Sequence, residues 1–238
     1  MIGISMKVIQ FIGFVCVLAA GTSAVQATEL STYETRYEVQ RGGSNYGEAL
    51  RRVSLNDGTY SLYTETEISL LFLSDRRRFW SEFTVDNGQV KSNTFDYKRS
   101  GTGRNKGFSG TFDHANKVII NNESKQTLPL DASKYAMDEA ASIEQLRLDL
   151  QHSKNDSFVY YVLDEKGQAE ELTFRRAGTE QLQLPYGAVE AIKVERVREN
   201  SNRETDYWFA PDLDYVLVKM AQREDGDEVA TLQLSHIN

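Results

Sequence analysis

The chain has 238 residues, 40% of them apolar, with 27 Lys+Arg against 35 Asp+Glu and a formal net charge of -8. A field of that sign excludes bulk attraction to nucleic acid or to an anionic membrane surface and favours solubility. The length suffices for one large β domain or two small ones with a substantial core.

The first 27 residues read as a signal peptide. Lys7 precedes an apolar run from Val8 to Ala20, broken only by Gln10 and Gly13, and Val25-Gln26-Ala27 has the small-x-small form of a cleavage site. The run is too short for a comfortable membrane span. Cleavage near Ala27 is expected to leave residues 28–238 as a periplasmic or secreted chain. The single cysteine, Cys16, lies inside this segment, so the processed chain has no disulfide and no thiolate metal site. Gly13-Phe14-Val15 before it is a poor match to a lipoprotein acylation site. No later apolar stretch approaches the length of a transmembrane helix, so none is expected in the mature chain.

Beyond residue 27 most of the chain alternates with period 2. Tyr33, Thr35, Tyr37 and Val39 fall on one face, with Glu34, Arg36, Glu38 and Gln40 on the other, which is a strand with one dry side. Strands are predicted near 33–41, 46–55, 59–68, 77–85, 90–98, 106–113, 116–121, 157–163, 170–176, 180–184, 188–198, 203–209, 215–223 and 228–235. Asp57-Gly58, Asn87-Gly88, Asp164 to Gly167 and Asp225-Gly226 are hairpin signals between them. Hairpins in series make antiparallel neighbours. The three prolines, Pro129, Pro185 and Pro211, all sit between runs, where a missing N–H costs nothing.

One stretch breaks the pattern. From Asp138 to His152, Ile143, Leu146 and Leu150 recur at helical spacing, with Leu148 off the stripe. Asp138 is a candidate N-cap, and Ser142 with Gln145 an alternative capping box. Asn122 to Met137 reads as a loop. The expected fold is mostly β: an antiparallel meander curled into a half-barrel or barrel-like sheet, with one central helix near 138–152 covering it, and residues 28–238 forming a single domain.

No constellation points to catalysis. His114, His152 and His236 are isolated from one another, and no His-Glu-x-x-His or Gly-x-Ser-x-Gly occurs. Gly101 to Gly107 is glycine-rich and basic but leads into a strand rather than a helix, which fits a hairpin loop and not a phosphate cradle. No catalytic residue, metal or cofactor is assigned. The most informative cluster is Asp75-Arg76-Arg77-Arg78-Phe79-Trp80, directly after Leu70-Leu71-Phe72-Leu73, with Lys98, Arg99, Arg104 and Lys106 one hairpin later. Leu71, Leu73, Arg76, Arg77, Arg78, Trp80, Lys98 and Arg104 are the candidate ligand-binding residues, a positive island beside apolar side chains that would take an amphipathic anion. The plainer reading is a solvated strand end whose arginines pair with abundant carboxylates.

The order of these pieces resembles a family of exported bacterial proteins catalogued as domain of unknown function 3108. The likeness rests on Tyr37-Glu38-Val39, on the turn leading to Tyr46-Gly47-Glu48-Ala49, on the helix entered by Asp138 and carrying Ser142, and most specifically on Asp206 to Leu213 followed by Tyr215 to Lys219. It implies a periplasmic antiparallel β protein and transfers no catalytic residues. The expected curved sheet also looks like that of periplasmic lipoprotein carriers, an analogy of fold that licenses no function by itself. The function expected is non-catalytic binding of a lipid-like or anionic amphipathic ligand, or of an envelope partner. The alternatives are an envelope structural or assembly factor with no ligand cavity, and a hydrolase.

Overall fold

The structure, a computed structural model, describes residues 29–70 and 73–238. The signal peptide and its cleavage point at Ala27 lie outside the described residues. Eight strands come first: β1 (Tyr33–Arg41), β2 (Ser44–Asn56), β3 (Thr59–Leu70), β4 (Leu73–Asp86), β5 (Gln89–Gly101), β6 (Lys106–Asp113), β7 (Val118–Asn121) and β8 (Thr127–Pro129). Then β9 (Ala136–Asp138) runs into helix α1 (Glu139–His152). Six more strands complete the chain: β10 (Ser157–Leu163), β11 (Ala169–Leu184), β12 (Gly187–Val197), β13 (Arg203–Ala210), β14 (Val216–Glu224) and β15 (Asp227–Ile237). All belong to one sheet in the order β8-β7-β6-β5-β4-β3-β2-β1-β15-β14-β13-β12-β11-β10-β9. The strands before α1 (front half) and those after it (back half) are therefore halves of one sheet, joined where β15 pairs with β1 (Tyr37 opposite Leu234, Val39 opposite Leu232).

The turns explain the register. Asp57 and Gly58 both take positive φ (48° and 77°), as do Asn87 and Gly88 (50° and 79°). That is the backbone a two-residue hairpin with right-handed strand twist requires. The predicted strands 170–176 and 180–184 are one strand, β11. The register shifts between Arg176 and Gly178, and Gly178 at φ 109° absorbs the kink, so a bulge interrupts the alternation without ending the strand. Tyr33, Thr35, Tyr37 and Val39 are all buried, as the alternation predicts.

Two short strands were not expected. β8 and β9 lie in the segment predicted as loop, and they are the two edges of the sheet. β9 pairs parallel with β10, so the sheet is mixed rather than wholly antiparallel. The reason is the helix: parallel neighbours need a crossover of a dozen or more residues, and α1 supplies it. The sheet curls without closing into a hydrogen-bonded barrel. Side chains fill the seam instead: Phe79, Phe95, Phe112 and Ile119 from one flank pack with Ala136 and Leu163 from the other.

Helix α1 sits inside the concavity. Leu146 and Leu150 pack with Phe158, Phe174 and Phe209 of the back half. Ala141 and Leu148 pack with Val53, Leu62 and Phe83 of the front half. Leu148 is 1% exposed, so its departure from the stripe is no irregularity. A helix walled on both sides needs apolar residues on both.

Candidate functional site

The inside of the sheet carries a buried ionic cluster that holds α1 in place. Arg51 on β2 donates from Nη2 to Glu144 Oε1 at 2.8 Å and to the Ala140 carbonyl at 2.9 Å, and from Nε to the Tyr33 hydroxyl at 2.9 Å. Tyr33 donates in turn to Glu144 Oε1 at 2.6 Å. Arg147 reaches Glu144 Oε2 at 3.2 Å and the Asp214 carbonyl at 2.7 Å. Burial alone would raise the Glu144 carboxyl, but Arg51 and Arg147, with hydrogen bonds from Tyr33 and Arg51, hold it below its ordinary value. Burial pushes the Tyr37 hydroxyl up to about 12 and raises Tyr33 as well. Tyr37 donates to the Leu217 carbonyl at 2.8 Å.

The start of the helix is pinned separately. Asp138 Oδ1 accepts from the Ala141 N–H at 2.9 Å, which makes it the N-cap the sequence predicts. Its other oxygen accepts from the Ser81 and Ser92 hydroxyls at 2.6 and 2.7 Å. Gln145 takes no part in a capping box. Its Oε1 accepts from the Val90 N–H at 2.6 Å and its Nε2 donates to the Gly88 carbonyl at 3.0 Å, which ties α1 to the β4–β5 turn.

Between α1 and the sheet lies a cavity of about 240 Å³. Tyr37, Phe79, Phe174, Tyr207, Leu217 and Met220 give it a mainly apolar wall, and Arg51 and Ser142 are among its polar lining. Phe79 and Glu139 also line a second, polar hollow of about 690 Å³. There Arg77, Lys166, Arg196, Arg198 and Arg203 face Asp164, Glu165, Glu170 and Glu224. Phe79 and Glu139 are common to the walls of the apolar chamber and of the charged hollow at its mouth. Burial, then the neighbouring Glu165 and Glu170, raise Glu139 to about 7 against the pull of Arg196. Arg196 itself pairs with Glu170 at 3.1 Å.

The predicted island divides between the two faces of the sheet. Phe79, Ser81 and Phe83 are buried, so Arg77 shares their inward face while Arg76, Arg78 and Trp80 point outward. Among the described candidates only Arg77 lines the mouth. Arg76 pairs with Glu65 on the outside. Trp80 is held between Arg78 (5.6 Å to the ring centre) and Lys98 (5.4 Å), beside Tyr63. Lys98 also pairs with Asp96 at 3.2 Å. Arg104 lines a separate hollow of about 100 Å³ with Asp75, Arg99 and Lys106. Leu73 opens β4, and Leu71 lies outside the described residues.

The sequence reading missed Arg51, Tyr37, Glu139 and Arg196. Arg51 carried a usable signal: it stands at an inward position between Ala49 and Val53, where a strand with one dry face has no use for an unpaired charge. Glu139 and Arg196 carried none, because their meeting depends on the curl of the sheet.

Among the described residues no group of three or more His, Cys, Asp or Glu is arranged to hold a metal ion, and no helix is long and apolar enough to cross a membrane. His114 is stacked on Phe112 and bonded to the Ser92 carbonyl at 2.6 Å, and burial lowers its pKa.

A search of curated proteins finds no match. The structure is similar to a β-barrel-like protein of domain of unknown function DUF1849 from Brucella abortus, with a TM-score of 0.56 at 9% identity over 88% of this chain and 98% of that one. It also aligns with a duf1089 family protein from Pseudomonas aeruginosa, with a TM-score of 0.44 at 8% identity over 75% of this chain and 90% of that one. At 9% identity the first likeness is one of fold alone. The family model for protein of unknown function DUF3108 matches residues 32–233, and over that span the chain belongs to this family.

Proposed function

We propose that this is an exported, non-catalytic binding protein that holds the apolar part of a lipid-like ligand inside its curled sheet. Residues 1–27 direct export, and residues 28–238 work as one β domain outside the cytoplasm. The observation that carries the reading is the chamber: about 240 Å³ of mainly apolar space, sharing Phe79 and Glu139 with the polar hollow at its mouth. Ligand sites have this form, a mainly apolar concavity with a few placed polar groups. The test is organic extraction and mass spectrometry of the purified protein, followed by titration with a fluorescent apolar probe. An amphiphile released on extraction, probe binding lost in Ala49→Phe, which fills the chamber, and probe binding kept in Arg76→Gln on the outer face are the results expected. An empty protein that binds no probe would remove the reading.

A second reading, docking of an envelope partner on the outer face, has one observation in its favour. The Arg78–Trp80–Lys98 stack stands on the convex side of β4 and β5, away from the chamber. Co-purification of an envelope protein that disappears in Trp80→Ala would favour it.

A further inference from the structure

The ionic cluster that reaches the chamber wall at Arg51 carries an unbalanced charge. Two guanidiniums, Arg51 and Arg147, meet one carboxylate, Glu144. Tyr33 and Tyr37 cannot supply the missing negative charge, because burial raises both hydroxyls away from ionisation. A net positive charge beside an apolar cavity is costly unless something pairs with it.

Arg51 has a donor to spare. Its Nε and Nη2 are engaged by Tyr33, Glu144 and the Ala140 carbonyl. Among the described residues its Nη1 donates no hydrogen bond, yet Nη1 is not among the buried polar atoms without a partner. The residue lines the chamber. By contrast, Arg77 and Arg196 at the mouth already face carboxylates, Asp75 at 2.9 Å and Glu170 at 3.1 Å. Depth follows from register. Ala49 pairs with Thr66 and Thr66 with Arg77, which puts Ala49 level with the mouth. Arg51 pairs with Thr64 and Thr64 with Phe79, so Arg51 stands level with Phe79, a residue common to the chamber and the mouth.

We infer that the chamber takes a single-chain fatty carboxylate, with the carboxylate received by Arg51 level with Phe79 and the acyl chain lying against the apolar wall of the chamber. This rests on the chamber being a ligand site. One carboxylate brings one negative charge, which is the deficit the cluster shows, and Nη1 offers it a charge-assisted hydrogen bond. A phosphate monoester would bring up to two.

The experiment compares dodecanoate, monododecyl phosphate, dodecanol and dodecyltrimethylammonium by calorimetric titration of the purified protein. Dodecanoate is expected to bind at least ten-fold tighter than each of the others. No binding by any of the four would overturn the chamber reading itself. Equal binding of all four, or a preference for the alcohol or the ammonium, would leave the chamber standing and overturn the carboxylate at Arg51. A preference for the phosphate would overturn the choice of head group. Because Arg51 also holds the helix, Arg51→Met risks unfolding, so the place of the ligand is read in the native protein. Dodecanoate carrying a photoreactive diazirine at its terminal carbon is expected to label the chamber wall at Phe174, Leu217 or Met220. Labelling confined to Lys166, Arg198 or Arg203 of the mouth would place the chain outside the chamber and sink the inference.

Discussion

Arg51 on β2 and Glu144 on α1 lie 93 residues apart in sequence and 2.8 Å apart in space, with side chains 9% and 1% exposed. The pair fastens the helix to the front half of the sheet. Removing one member leaves the other charge buried, so Glu144→Gln should cost about 3–5 kcal/mol. Urea unfolding measures it. The double variant Arg51→Met/Glu144→Leu should lose less than the sum of the two single variants; additive losses would show that the two residues do not act as a pair.

The same carboxylate sets the acid limit. Its folded pKa is lowered, so its contribution is present above the ordinary carboxylate range and lost as pH falls through the folded value. Urea midpoints should fall steeply below about pH 4.5 in the native protein. Glu144→Gln should show a shallower fall.

Glu139 has the opposite sign. Its folded pKa is raised from 4.5 to about 7, so its contribution is intact below 4.5 and lost as pH rises through about 7. Glu139→Gln should therefore match the native protein near pH 4.5 and exceed it at pH 8. The gain should be about 1 kcal/mol, well under the full value of the shift, because the side chain is 42% exposed at the mouth and water screens it. A stability difference that does not change with pH would contradict this.

Asp138 serves the helix and the sheet together. Asp138→Ala removes the cap of the Ala141 N–H and leaves the Ser81 and Ser92 hydroxyls without their shared acceptor. The expected loss is about 2–4 kcal/mol, a cap plus unpaired buried groups. Asp138→Asn keeps an acceptor at the cap and should recover part of it. Thermal unfolding of the two variants separates them.

Leu148 tests whether the helix is enclosed. Leu148→Ala should cost about 2–5 kcal/mol, the range for a fully buried leucine. A loss under 1 kcal/mol would mean that the helix turns this face to solvent.

Local chemistry made much of the fold legible. Period-2 alternation marked the strands, Asp57-Gly58 and Asn87-Gly88 marked their turns, and Asp138 marked the helix start. Each depends on neighbours within a few residues. The β8 and β9 edges were not legible, because three-residue strands carry no periodicity and exist only where another strand accepts them. The basic island was read as one surface because its members are adjacent in sequence. In a strand adjacency means opposite faces, so Arg77 went to the mouth while Arg76, Arg78 and Trp80 went outside.

By itself the sequence determined a β chain of hairpins with one capped helix, since backbone propensity and side-chain alternation are local. Only the tertiary structure decided that the first and last strands meet, that the helix lies inside with both sides buried, and that Arg51, Glu144 and Arg147 share one buried cluster. Those facts follow from how a long twisted sheet curls, and curling brings together residues that no short-range pattern relates.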